Sequence, residues 1–192
     1  MADNEEEDQR FEEQKQIFVF ELADEDYALN IERAKEVIKT EEKTINPVPN
    51  VPDFIEGITN IRGKVVPVLD LGPRFGLETS ESKFIVVIEL EDATAGVLVD
   101  DVKEVLNVNE NKIKDAPSIL EEEVHADYIE GVAVLEDRLI IILNLEEGLS
   151  QEEAMKISEL RDELGDEEDD SEEEQLSEEE VREKAKERVK DS

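Results

Sequence analysis

An all-β barrel or sandwich is the fold class this sequence predicts, and three observations predict it. Short runs rich in Val, Ile, Leu and Phe recur from Gln16 to Asn144. Tight acidic or Gly- and Pro-bearing links separate them, as in a chain that doubles back after every strand. The apolar period becomes helical only after Leu149.

The first run, Ile17-Phe18-Val19-Phe20 followed by Leu22, is a short strand apolar on both faces at its start. Ala23-Asp24-Glu25-Asp26 is a turn-like acidic break. Tyr27, Leu29 and Ile31 then alternate with Asp26, Ala28 and Asn30, the period-two signature of a half-buried strand. The two runs form a hairpin. Residues 45–52 hold three prolines in eight positions, which makes them an ordered loop rather than a central strand, because proline donates no backbone hydrogen bond. Ile58–Ile61 and Lys64–Leu69 flank Arg62-Gly63, a two-residue link able to turn a hairpin. Pro67 then belongs at an edge or beside a bulge. Lys83–Leu90 and Thr94–Val99 pair around Glu91-Asp92-Ala93; Val102–Val108, Val132–Leu135 and Leu139–Asn144 complete a set of about nine or ten strands.

Beyond Leu149, Ser150-Gln151-Glu152-Glu153 has capping-box spacing, and Ile157, Leu160 and Leu164 follow at helical intervals, predicting a helix over about 151–164 that Gly165 ends. Residues 166–175 are acidic and poor in apolar side chains, which predicts disorder. A second, marginal helix over about 178–190 carries a thin stripe of Val181, Ala185 and Val189. The domain organisation expected is an acidic stub over 1–15, a β domain over 16–149 and an acidic C-terminal extension over 150–192.

The formal charge of −35 is spread along the chain. Residues 1–15 carry −5, residues 16–149 carry −18, and residues 150–192 carry −12, so the central domain is itself acidic. Such a field repels phosphate backbones and anionic lipid headgroups, which excludes nucleic-acid binding and direct membrane insertion as expectations. No apolar run approaches the roughly 20 residues that span a bilayer. The N-terminal segment lacks the basic and apolar regions of a signal peptide, so a cytoplasmic protein is expected. Cysteine is absent, removing disulfides, thiolate nucleophiles and zinc–thiolate sites.

The sequence carries no catalytic constellation, no metal-site motif and no cofactor motif. His125 is the one histidine, set between Glu121–Glu123 and Asp127; a lone imidazole without a second ligand at motif spacing reads as a solvated loop residue rather than a metal ligand. Gly72-Pro73-Arg74-Phe75-Gly76 has neither the glycine spacing nor the Lys of a phosphate loop. Asp100 and Asp101 are adjacent, so on a strand they face opposite ways and cannot share an acid–base site. Arg62 stands out instead, a cation between apolar strand residues at a tight turn. Two readings remain open for it: an internal salt bridge that locks the hairpin, or a contact with a partner's carboxylates through the planar guanidinium fork.

The run Pro52-Asp53-Phe54-Ile55-Glu56-Gly57-Ile58-Thr59-Asn60-Ile61-Arg62-Gly63, continuing into Val65-Val66-Pro67-Val68-Leu69, resembles the signature of the CheW family. Gly96–Leu106 is similar to the family's second block, and Tyr128–Gly131 with Leu139–Leu145 to its last. The resemblance runs from about Gln16 to Gly148. It implies two five-stranded SH3-like β-barrels packed around a shared core, and a non-enzymatic chemotaxis adaptor without a cofactor. Its implied partners are the helical hairpin tip of a methyl-accepting chemotaxis receptor and the histidine kinase CheA, through that kinase's own CheW-like regulatory domain. It places the adaptor in the cytoplasm, recruited to membrane-bound receptor arrays. The short acidic stub and the short polar tail leave no room for the kinase module of CheA or the receiver domain of CheV-type proteins, so a free-standing adaptor is expected.

By that resemblance the receptor groove draws on Glu36, Val37, Gly57, Asn60, Arg62 and Gly63. Kinase contacts fall on exposed apolar strand residues of one barrel. Gly57 has two readings, a missing side chain that lets a partner's backbone approach closely or a positive-φ requirement. The tail is expected to be a solubilising, self-repelling segment. The competing functions are an acidic binding module or cation buffer outside signalling, and a small carboxylate- or metal-dependent enzyme.

Overall fold

A computed structural model describes residues 13–78, 81–118 and 126–165. His125, the acidic run 166–175 and the expected helix over 178–190 lie outside the described residues. Eleven strands among the described residues form two sheets: β1 (Gln14–Leu22), β2 (Glu25–Asn30), β3 (Ala34–Lys39), β4 (Ile55–Ile61), β5 (Lys64–Leu69), β6 (Phe84–Glu89), β7 (Thr94–Val99), β8 (Asp101–Asn109), β9 (Ile113–Lys114), β10 (Ile129–Val134) and β11 (Leu139–Leu143). One sheet runs β8-β1-β2-β11-β10-β9 and the other β3-β6-β7-β5-β4. Pairing is antiparallel except at β2–β11 and β5–β7. The described residues also form the α-helices α1 (Gly72–Phe75), α2 (Leu145–Gly148) and α3 (Gln151–Gly165), with four single-turn 3-10 helices between strands.

Each sheet curls until its two sides meet. In the first, Glu104 on the edge strand β8 pairs with Arg138 at the β10–β11 turn, on the far side of the sheet. In the second, Glu36 on the edge strand β3 pairs with Arg62, which follows the opposite edge strand β4. The result is a two-lobed molecule with apolar packing at three levels. Ile17, Val19, Ala28, Val108, Ala133, Ile140 and Ile142 fill the first lobe. Ile38, Ile61, Val66 and Val87, together with a second cluster of Val68, Ile85 and Leu98, fill the second. Between the lobes a larger shared core takes Phe18, Phe20, Tyr27 and Leu29 from one side and Val86, Ile88, Val97 and Val99 from the other.

This layering explains the unbroken apolar runs. A strand with a lobe interior on one face and the shared core on the other must be apolar at every position. Phe18 and Phe20 thus face the shared core while Ile17 and Val19 face the lobe interior. The same geometry corrects the half-buried expectation for β2: Tyr27, Ala28 and Leu29 are all buried, because β2 lies between β1 and β11 with packing on both faces. Strand β3 is an element the sequence pattern did not reveal. Ala-Lys-Glu-Val-Ile-Lys carries three charges in six residues and only Ile38 is buried, as suits a sheet edge.

Pro67 lies in an interior strand, but on a stretch paired on one side only. The parallel pairing of β5 with β7 starts at Val68, and β4 bulges opposite Val68 and Leu69. The proline-rich loop is ordered through Asn46, whose N–H and C=O exchange hydrogen bonds with Ile58 at 2.8 and 2.9 Å. Asp100 is buried and structural. Its carboxylate accepts the Ala23 N–H at 2.8 Å and fixes the β1–β2 turn, where Ala23 and Asp24 hold positive φ.

Helix α3 begins at the expected capping box. The Ser150 N–H donates to Glu153 Oε2 at 2.9 Å, and the Glu153 N–H donates to Ser150 Oγ at 3.2 Å. Its Ile157 and Leu160 enter the shared core, whereas Leu164 stays exposed. Arg74 of α1 holds the helix start. Its guanidinium pairs with Glu153, donates from Nε to the Tyr128 hydroxyl at 3.2 Å, and stacks over the rings of Phe54 and Tyr128 at 4.9 and 5.6 Å. Burial acts to lower the Arg74 pKa, but the hydrogen bonds to Glu153 and Tyr128 outweigh it and hold the cation above its ordinary value. Burial likewise acts to raise Glu153, and the Ser150 N–H and Arg74 together hold its carboxyl below the usual range.

Candidate partner-binding site

The β4–β5 turn is the centre of the candidate site. Arg62 has φ of 54° and Gly63 of 81°, the double left-handed geometry of a type I′ hairpin turn. Gly63 suits that geometry. An arginine does not, since a Cβ-bearing residue there is strained by about 1 kcal/mol. The turn tolerates it because Asn60 Oδ1 accepts the Gly63 N–H at 3.0 Å, while Lys43 Nζ reaches the Asn60 carbonyl at 3.1 Å. Asn60 therefore builds the turn that displays Arg62.

The Arg62 side chain is 79% exposed, and its Nε lies 3.0 Å from Glu36 Oε2. Both open readings of this residue hold in part. The ion pair exists, yet one so exposed stabilises by well under 1 kcal/mol, too little to explain a strained arginine. A charge held out in solvent above an apolar wall is what remains to be explained. That wall belongs to a cavity of about 480 Å³ lined by Glu36, Arg62, Lys64, Val65, Val87 and Thr94, with Arg161 of α3 at its rim.

The six residues taken from the family resemblance do not form one surface. Glu36 and Arg62 meet at the cavity, with Gly63 beside them and Asn60 beneath. Val37 is 41% exposed but lies on the other face of β3, since neighbouring strand residues point opposite ways. Gly57 is buried in β4 without a positive φ. A Cβ there would lie 2.3 Å from the Asn46 carbonyl oxygen, so the close approach the glycine permits is internal, to the proline-rich loop. Val87, Thr94 and Arg161 line the cavity, and nothing in the sequence pattern marks them. They come from three separate elements and share no motif with Arg62.

A CheW-like domain family model matches residues 16–153. The chain belongs to the CheW family. Among curated relatives it is 31% identical to the chemotaxis protein CheW of Klebsiella aerogenes over 142 residues, which is 72% of this chain and 84% of that protein. It is 30% identical to the CheW of Treponema pallidum over 156 residues, 78% of this chain and 90% of that one. Among solved structures, the scaffolding protein TtCheW from Thermoanaerobacter tengcongensis superposes with a TM-score of 0.64 at 39% identity, covering 70% of this chain and 91% of that one.

Family membership makes the chain a chemotaxis coupling adaptor with the two-lobed SH3-like CheW fold. The CheW family is one of non-catalytic scaffolds, and the readings as a cation buffer or small enzyme gain nothing from these matches. The family match stops at residue 153, inside the first turn of α3. No helix among the described residues is long and apolar enough to cross a membrane.

Proposed function

We propose that this CheW-family chain bridges the helical hairpin tip of a methyl-accepting chemotaxis receptor and the histidine kinase CheA, as a non-enzymatic scaffold recruited from the cytoplasm to receptor arrays. The observation that carries the receptor half is Arg62, strained and displayed over an apolar-walled cavity. An amphipathic hairpin presents apolar anchors with a carboxylate nearby, and Arg62 would take the carboxylate while Val65 and Val87 receive the anchors. Glu36 orients the guanidinium from β3, and Asn60 with Gly63 fixes the turn. Val37 serves a different face of the same edge strand.

For the kinase half, the exposed apolar pair Val134 and Leu139, cross-strand neighbours on the β10–β11 hairpin, offers the strongest candidate surface. It lies on the first lobe, so the receptor and the kinase domain would bind different lobes and leave each other's surface free. Co-sedimentation with a receptor signalling tip, with and without CheA, tests the reading. Pelleting with each partner, and more CheA in the pellet when all three are mixed, is the result expected. Failure to pellet with either partner would overturn it.

A further inference from the structure

The two halves of the chain repeat one another. Ile17–Val37 recurs as Ile85–Val105, with Glu21-Leu22 matching Glu89-Leu90 and Lys35-Glu36-Val37 matching Lys103-Glu104-Val105. Phe54-Ile55-Glu56-Gly57-Ile58 recurs as Tyr128-Ile129-Glu130-Gly131-Val132. The structure repeats with the sequence. β4 shifts register against β5 between Ile55 and Gly57, as β10 does against β11 between Ile129 and Gly131, and the ion pair Lys35–Glu89 has its counterpart in Lys103–Glu21. Each lobe also carries a cavity beside the start of its repeated hairpin. Lys15, Asn30, Glu130 and Asn144 line the first lobe's, of about 390 Å³, and their counterparts Lys83, Leu98, Glu56 and Asp70 line the second lobe's, of about 670 Å³.

The two cavities differ in three ways. In the first lobe Lys15 and Glu130 pair with each other; in the second, Lys83 and Glu56 make no ion pair among the described residues, and the space they line is larger. Val108, buried on β8 opposite Lys15, is replaced by Thr40, whose N–H donates to the Lys83 carbonyl at 2.8 Å. The Thr40 hydroxyl oxygen is buried without a hydrogen-bond partner, a cost that the valine avoids. Asp70 stands where the first lobe has Asn144; each side chain caps the short helix that follows, so capping does not call for the charge. An apolar wall of Ile45, Phe84 and Leu98 completes the second cavity, and the other charged residues of its lining, Lys39, Glu41 and Glu81, are exposed.

We propose that the second-lobe cavity binds a small zwitterion, an α-amino acid with an aliphatic side chain. Lys83 takes the carboxylate, which also offers the Thr40 hydroxyl the acceptor it lacks; Glu56 and Asp70 take the ammonium, and the apolar wall takes the side chain. A ligand with both charges restores across the open cavity the pairing that Lys15 and Glu130 make directly, whereas a lone cation or anion leaves one side unpaired. The volume suits such a ligand, since small-molecule sites begin at about 300 Å³. Glu56 and Asp70 mark the opposite end of the β4–β5 hairpin from Arg62, so this site does not rest on the receptor reading.

Titration of the full-length chain with L-leucine, followed through backbone amide shifts, tests the site. Saturable shifts should cluster at Thr40, Ile45, Phe84 and Leu98, with a Kd of about 1 mM or tighter, as a ligand of this size can reach. Isoamylamine and 4-methylvalerate, which keep one charge each, should bind at least about tenfold more weakly, because each forfeits a charge-assisted hydrogen bond. Lys83→Gln and Glu56→Gln should each weaken leucine binding by at least about tenfold without moving the Tm, since both side chains are exposed. No saturable shift up to about 20 mM leucine, shifts confined to the first lobe, or full affinity in both variants would overturn the site. Isoamylamine or 4-methylvalerate binding as tightly as leucine would overturn the zwitterion as its ligand.

Discussion

Replacing Arg62 with asparagine separates display of a charge from maintenance of the fold. Asparagine tolerates the left-handed φ of 54° far better than arginine does, so the turn should relax by up to about 1 kcal/mol. Against this stands the lost pair with Glu36. With the arginine side chain 79% exposed, screening reduces that loss to a few tenths of a kcal/mol. The net change in stability should lie between about zero and 0.5 kcal/mol in favour of the variant, a Tm shift of at most about 2 °C for a domain of this size. Binding should behave differently. Removing a charge-assisted hydrogen bond to a partner carboxylate costs about 1.5–3 kcal/mol, roughly a 10- to 150-fold weaker complex. Urea unfolding and calorimetric titration of a receptor tip measure the two quantities on one preparation. A stability loss beyond about 1.5 kcal/mol would mean that the arginine locks the hairpin after all. Unchanged affinity at unchanged stability would remove Arg62 from the partner surface, although the chain would remain a CheW-family adaptor.

Gly57→Ala should destabilise the chain by about 2–4 kcal/mol in urea unfolding, because its Cβ would meet the Asn46 carbonyl oxygen at 2.3 Å and the loop cannot withdraw without losing its bonds to Ile58. Arg74→Ala and Glu153→Ala should couple by about 1.5–3 kcal/mol in a double-mutant cycle, with hydrogen-exchange protection lost first in α3. Glu153 also gives that helix an acid limit. Its folded pKa lies below its unfolded value, so its contribution is complete above the unfolded pKa and disappears as pH falls through the folded one. Amide protection in α3 should therefore hold from neutrality to about pH 5 and fall below about pH 4, and Glu153→Gln should flatten the profile.

Local patterns were legible wherever local physics decides conformation. The apolar runs marked the strands, Arg62-Gly63 marked a tight hairpin, and Ser150 with Glu153 marked a helix start that the hydrogen bonds bear out. Elements whose identity depends on distant neighbours were not legible. Strand β3 is a strand because β6 pairs with it, and its own six residues carry too much charge to announce that. β2 read as half-buried because Asp26 and Asn30 alternate with apolar residues at its ends, whereas β11 and β1 enclose its centre.

The candidate site divides in the same way. Sequence alone determined the all-β class, the family through its motif blocks, and Arg62 as the residue to watch. Only the tertiary structure decided that Arg62 meets Glu36, twenty-six positions earlier, that Gly57 serves the fold, and that α3 reaches the same cavity. The reason is the curl of the second sheet. Hydrogen-bond period and turn chemistry are written within a few residues, but which edges meet depends on the summed twist and packing of five strands, and no short stretch of sequence carries that sum.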